Sequence, residues 1–240
     1  MCFHYSLTKE ALERENIYDP TLEFPFMTQY HVNGFSYPEM PVLSNEEGGK
    51  LKLMKWGLIP KWANTVLKAE EIRQNTHNAR SETVFEKSSF KNSMGKKHCL
   101  VFASGFYEWM HVGKEKYPHY IHLKDNSLMA FAGIWERTII SDSNEVVESY
   151  SIITCDANPL MERIHNSKKR MPVILPKDRW MEWLKPDLTR EQIISFLCQF
   201  PQEQMSAYTI SRLITSRKES SNVEKVMERV DYPELALFLQ

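Results

Sequence analysis

From Cys99 to Cys155 the chain carries four strand-like runs in succession: CLVFASGFYEW, HYIHLK, LMAFAGIWE and ESYSIITC. A fifth, MPVILP, follows after one short helical stretch. The runs are rich in β-branched and aromatic residues and are bounded by turn sequences such as KDNS and SDSN. Parallel neighbours need a crossover of a dozen or more residues, usually a helix. No helix-length segment separates the first four runs, so they pair mainly as antiparallel neighbours. The expected fold class is α+β, a mainly antiparallel sheet or barrel-like core with flanking helices.

Helices are expected at the start of the chain and after residue 157. SLTKEALERE has Ser6 or Thr8 as N-cap, and SETVFEKSSF is capped by Ser81. NPLMERIH has Asn158 as N-cap and Pro159 at its first position. PKDRWMEWL and TREQIISFLCQF follow, the second capped by Thr189. LKLMKWGLIP reads as a further strand ended by Pro60. A length of 240 residues suits one domain over 1–240, with the polar stretch 210–240 as a looser C-terminal extension.

Net charge is −1, so no global basic field points to nucleic acid. The charge is unevenly spread. Residues 1–50 hold three Lys/Arg against eight acids, and residues 160–180 hold six Lys/Arg against Glu162 and Asp178. Such a local patch can hold a few phosphates. Cys2, Cys99, Cys155 and Cys198 form no CxxC pair, so a zinc site has no support and no metal is expected. No apolar run reaches the ~18 residues of a membrane span, and the acidic N-terminus lacks a signal-peptide core. The expected compartment is the reducing cytoplasm, at the nucleoid in a bacterium, where a Cys2 thiol stays free.

Several polar residues stand among apolar neighbours. THNARSET holds Asn78 and Arg80, SGFYEW holds Glu108, IITCDANPL holds Thr154, and RIHNSKKRMPVIL holds His165, Lys168, Lys169 and Arg170. Singly, each has a structural explanation: a turn, a surface charge, an ion pair, a helix-dipole contact. Cys2 directly follows Met1, and loss of Met1 exposes an α-amine and a thiol on one residue. An α-amine of pKa ~7.7–8.0 keeps a usable neutral fraction near neutral pH and forms a Schiff base with an aldehyde. The neighbouring thiol then adds to the imine and closes a five-membered thiazolidine ring, which lysine cannot do.

In order, Cys2 after Met1, WGLIPKWA, NARSET, ASGFYEW, IITCDAN and IHNSKKRMPVIL resemble the SRAP family, named for SOS response-associated peptidase. The resemblance implies the SRAP fold and covalent capture of abasic sites in single-stranded DNA by the N-terminal cysteine. It implies autoproteolytic removal of Met1, no cofactor, and a monomer. By the same resemblance Cys2, Asn78, Glu108 and His165 are catalytic. Glu108 acts as acid and base, His165 as proton shuttle, and Asn78 as positioning group. Arg80, Thr154, Trp62, His4, Lys168 and Arg170 are the implied DNA contacts. The chain departs from the family's usual Met-Cys-Gly-Arg start, with Phe3 and His4 after Cys2, and NSKK lengthens the loop after His165. Two other functions fit the same residue types. One is a cysteine peptidase built on Cys2, His165 and Asn78. The other is a non-catalytic binder of single strands.

Overall fold

The structure is a computed structural model that describes residues 2–17, 25–46 and 51–236. Its strands are β1 (His4–Leu7), β2 (Gln29–Asn33), β3 (Glu39–Ser44), β4 (Leu51–Trp56), β5 (Asn78–Arg80), β6 (His98–Ala103), β7 (Gly105–Val112), β8 (Glu115–Leu123), β9 (Met129–Ile140), β10 (Glu145–Asp156), β11 (Arg170–Pro172) and β12 (Met205–Thr209). Strands β4, β3, β6 and β9 pair antiparallel in sequence. β10 closes the ring, antiparallel to β9 and parallel to β4, giving a five-stranded barrel. β5 and β11 extend β10, and a second sheet runs β12–β8–β7–β1–β2. The α+β class and barrel-like core are as expected.

The run CLVFASGFYEW is two strands, not one. β6 belongs to the barrel and β7 to the open sheet, with Ser104 as the corner, its N–H bonded to Ser6 O at 2.8 Å. Gly105 is required just past the corner, because a Cβ there would lie 2.6 Å from the Ile121 carbonyl oxygen. Tyr5 joins the two sheets: it is fully buried, and its hydroxyl meets that of Tyr150 at 3.0 Å. Burying these large aromatic faces at the seam is the main local stabilisation.

The helices among the described residues are α1 (Lys9–Arg14), α2 (Val66–Arg73), α3 (Lys91–Met94), α4 (Pro159–Ile164), α5 (Trp180–Trp183), α6 (Arg190–Phe196) and α7 (Pro233–Ala236). Thr8, Asn158 and Thr189 are the N-caps of α1, α4 and α6, each side-chain oxygen accepting a backbone N–H. SETVFEKSSF departs from expectation. It forms a chain of turns, and helix begins only at Lys91. Ser81 does not cap a helix, because its N–H is bonded to Thr154 O at 2.9 Å and so prolongs the β5 pairing. Of the stretch 210–240 expected to be a looser extension, residues 237–240 lie outside the described residues, and the segment from Ile210 to Met227 packs on the second sheet. Asn222 Oδ1 accepts from Tyr30 N (2.8 Å) and His31 N (3.2 Å), and Ile214 and Val226 are buried against Tyr107 and Tyr120.

Candidate active site

The N-terminus, β5, β7 and the end of α4 converge where the barrel meets the second sheet. Cys2 precedes β1 and is fully buried. Its carbonyl accepts a hydrogen bond from Asn78 Nδ2 at 2.9 Å. Asn78 opens β5, held by parallel pairing with Ile152 of β10. The other amide atom, Asn78 Oδ1, is buried and has no hydrogen-bond partner among the described residues. An open acceptor therefore stands one amide group away from the Cys2 backbone.

Glu108 lies mid-strand on β7. Side chains alternate along a strand, so it shares a face with Phe106, which packs on Phe131 of the barrel. His165 terminates α4 and comes within 3.6 Å of Glu108 through Nδ1. Both residues are 5% exposed. Burial pushes the Glu108 carboxyl up to about 8, against the pull of the chain's N-terminal charge. Burial likewise depresses His165 to about 4. At neutral pH the proton sits on the carboxyl and the ring is neutral, so the contact is not an ion pair. His165 Nδ1–H donates to Arg170 O at 2.9 Å, which leaves Nε2 as the ring's basic nitrogen. The site therefore couples a buried acid to a neutral imidazole base.

The Cys2 thiol is raised well above the ordinary cysteine range, by burial and then by the charge of Glu108. Its Sγ–H points to His4 O at 3.7 Å. Glu108 and His165 open onto a cleft of about 350 Å³ that Phe3, His4, Lys116 and Lys168 also line, while Cys2, the residue before Phe3, lies buried and Asn78 is not part of the lining. A wider concavity of about 760 Å³ beside Trp180 and Phe200 holds none of them.

Arg80 and Lys168 are exposed, and Trp62 is exposed with Nε1–H bonded to Ser88 O. Thr154 has no exposed surface and lies beneath Arg170. Arg170 is almost buried: it pairs with Glu82, donates to Asp156 Oδ1 at 2.8 Å and to Thr154 O at 2.7 Å. Its guanidinium is thus committed within the protein. His4 Nδ1 meets His31 Nε2 at 2.9 Å, and His31 Nδ1 meets Ser221 Oγ at 2.7 Å. Burial lowers His4 to about 3, so it is a neutral ring at physiological pH. Sequence reasoning missed His31, Ser221, Lys116 and the pairing of Glu82 and Asp156 with Arg170, because none lies in a stretch with its partner.

The family model for SOS response associated peptidase (SRAP) matches residues 1–217. The chain belongs to the SRAP family. It is 36% identical over 226 residues to the abasic site processing protein YoqW of Bacillus subtilis (strain 168), covering 92% of this chain and 97% of that protein. It is 34% identical over 155 residues to the abasic site processing protein HMCES of Xenopus tropicalis, covering 55% of this chain and 45% of that protein. A crystal structure of a Bacteroides thetaiotaomicron protein superposes with a TM-score of 0.88 at 37% identity, over 95% of this chain and all 100% of that one. The SRAP match ends at residue 217, so the Ser221 and Asn222 contacts to β2 lie beyond it.

Proposed function

We propose that, after loss of Met1, Cys2 captures the ring-opened aldehyde of an abasic deoxyribose in single-stranded DNA as a thiazolidine. The observation that carries this reading is Cys2 held through its own carbonyl by Asn78, beside a buried carboxylic acid and a neutral imidazole. His165 exchanges a proton with the sugar hydroxyl and opens the ring to the aldehyde. The Cys2 amine attacks C1′ to give a carbinolamine. Glu108, protonated at neutral pH, gives its proton to the departing hydroxyl, one water leaves, and the resulting carboxylate takes back the N–H proton of the iminium to leave a neutral imine. The thiol adds to the imine carbon, a C–S bond forms, and the thiol proton passes to the nitrogen. Amine, thiol and aldehyde become a ring plus one water, with no oxidant or reductant. Asn78 Oδ1 takes an N–H of the new terminus. Arg80, Lys168 and the Trp62 face are the strand contacts in this reading, and removal of Met1 is a self-cleavage at the same acid–base pair.

A papain-like peptidase fits less well. Its thiol must be a ready thiolate, whereas burial holds the Cys2 thiol protonated and directed at a carbonyl. The test uses protein whose loss of Met1 is verified by intact mass. It is incubated with a single-stranded abasic oligonucleotide and run on a denaturing gel without borohydride. A shifted band that disappears in Cys2→Ala is expected. No band from fully processed protein overturns the reading.

A further inference from the structure

An abasic nucleotide has no base to read. Whatever holds it must gain its contact energy from phosphates and from the bases on either side. The basic groups Lys116 and Lys168 line the cleft together with the aromatic Phe3 and Trp109. Phe3, next to Cys2, lines the cleft and stacks on Phe35, with ring centroids 4.7 Å apart and 29° between planes. Phe35 is 56% exposed. Phe3 stacks on its ring, His4 and His77 make tilted contacts with it at 6.1 and 5.6 Å between centroids, and the rest of the side chain meets solvent.

The turn that presents Phe35 is fixed from several sides. Asn33 Oδ1 accepts from Phe35 N at 3.1 Å, and Ser36 Oγ donates to Asn33 O at 2.8 Å. Gly34 N–H donates to Phe3 O at 2.8 Å, and the buried ring of His77 hydrogen-bonds Gly34 O at 2.9 Å. A side chain at Gly34 would press on the Trp56 ring at 3.0 Å, so the turn sits tight on the core. Tyr37 closes it in the left-handed region, φ 52°, under the Arg73 guanidinium at 3.6 Å. A large apolar ring held rigid and exposed at a cleft mouth loses little entropy when something stacks on it. A cation already stacked on the next ring supplies positive charge for a backbone phosphate beside it.

Resting on the abasic-site reading above, we propose that the Phe3–Phe35 pair is a stacking platform for the nucleobase flanking the lesion. Stacking is sequence-tolerant because every base has a π-face. The pair thus supplies single-strand affinity without restricting sequence context.

The test is reversible binding of the processed full chain to a short single strand carrying the tetrahydrofuran analogue, which has no aldehyde and cannot crosslink. Fluorescence anisotropy compares two oligonucleotides: one with normal bases beside the analogue, one with tetrahydrofuran at both neighbours as well. Phe35→Ala is expected to weaken binding to the first about 5- to 150-fold. The variant-to-wild-type ratio is expected to approach one on the second, and Phe35→Trp to restore the first. Equal losses on both strands, or no loss on the first, overturn the platform. Melting curves of each variant check that the turn is intact. Because no covalent step is involved, these outcomes are independent of whether the crosslink forms.

Discussion

Replacing Glu108 by Gln separates proton chemistry from packing, because the amide keeps the carboxyl's shape and removes its proton. A free terminal amine ionises at ~7.7–8.0, and Glu108 at about 8. The proposed dehydration needs a neutral amine and a protonated carboxyl together. The product of those two fractions is about 0.3 near pH ~8. It falls roughly 20-fold by pH ~6, where the amine is protonated, and roughly 10-fold by pH ~9.5, where the carboxyl is ionised. The wild-type crosslinking rate is therefore a bell whose two apparent values belong to the amine–carboxyl pair. Glu108→Gln is expected to keep the acid limb, lose the alkaline limb, and run ~10²–10⁴-fold slower at the optimum. The assay is single-turnover crosslinking with protein in excess over abasic single strand, quenched into denaturing gels across that pH range. A wild-type rate still rising at pH ~9.5, or an alkaline limb that survives in Glu108→Gln, refutes the assignment.

The same carboxyl has a stability signature. Its folded pKa, about 8, lies above the ordinary 4.5. Below the ordinary value both states are protonated. As pH rises towards the folded value, the unfolded chain ionises first and wild type loses stability. Urea titrations are expected to show Glu108→Gln gaining on wild type across this window, by at most about 5 kcal/mol; equal slopes with pH would remove the buried-acid argument. Asn78→Ala deletes the only described donor to the Cys2 carbonyl. It should cost ~1–3 kcal/mol in thermal or urea unfolding and slow crosslinking even where the protein remains folded. A variant with unchanged crosslinking rate would deny Asn78 its positioning role.

Local signals made the helix caps and most strands legible. Thr8, Asn158 and Thr189 each satisfy a first-turn N–H with their own side chain, a contact within three residues. Barrel closure was not legible, since it depends on β10 meeting β4 across about a hundred residues. Nor was the corner at Ser104, which is fixed by the distant Ser6 carbonyl and by the space Gly105 leaves for Ile121. SETVFEKSSF carries a helix-like composition, but its first N–H is already bonded to β10, and sheet pairing prevails over propensity.

At the site, residue types were legible and pairings were not. Arg170 reads in the sequence as a cation awaiting a phosphate. In the fold, Glu82 and Asp156 neutralise it, and its structural use is different. With its guanidinium anchored there and on Thr154 O, its carbonyl is fixed to receive His165 Nδ1–H and so sets which ring nitrogen is basic. The NSKK stretch between His165 and Arg170 folds compactly. Lys168 and Lys169 N–H both return to His165 O, and Lys169 turns through φ 51°. Asn166 meanwhile bonds both backbone groups of His111 on β7, N–H to Oδ1 at 3.0 Å and Nδ2 to O at 2.8 Å. The stretch forms a tight turn docked on the strand that carries Glu108. The base and the acid are thereby tied to each other through backbone contacts, which hold the 3.6 Å Glu108–His165 contact while the chain runs on from His165 to Arg170.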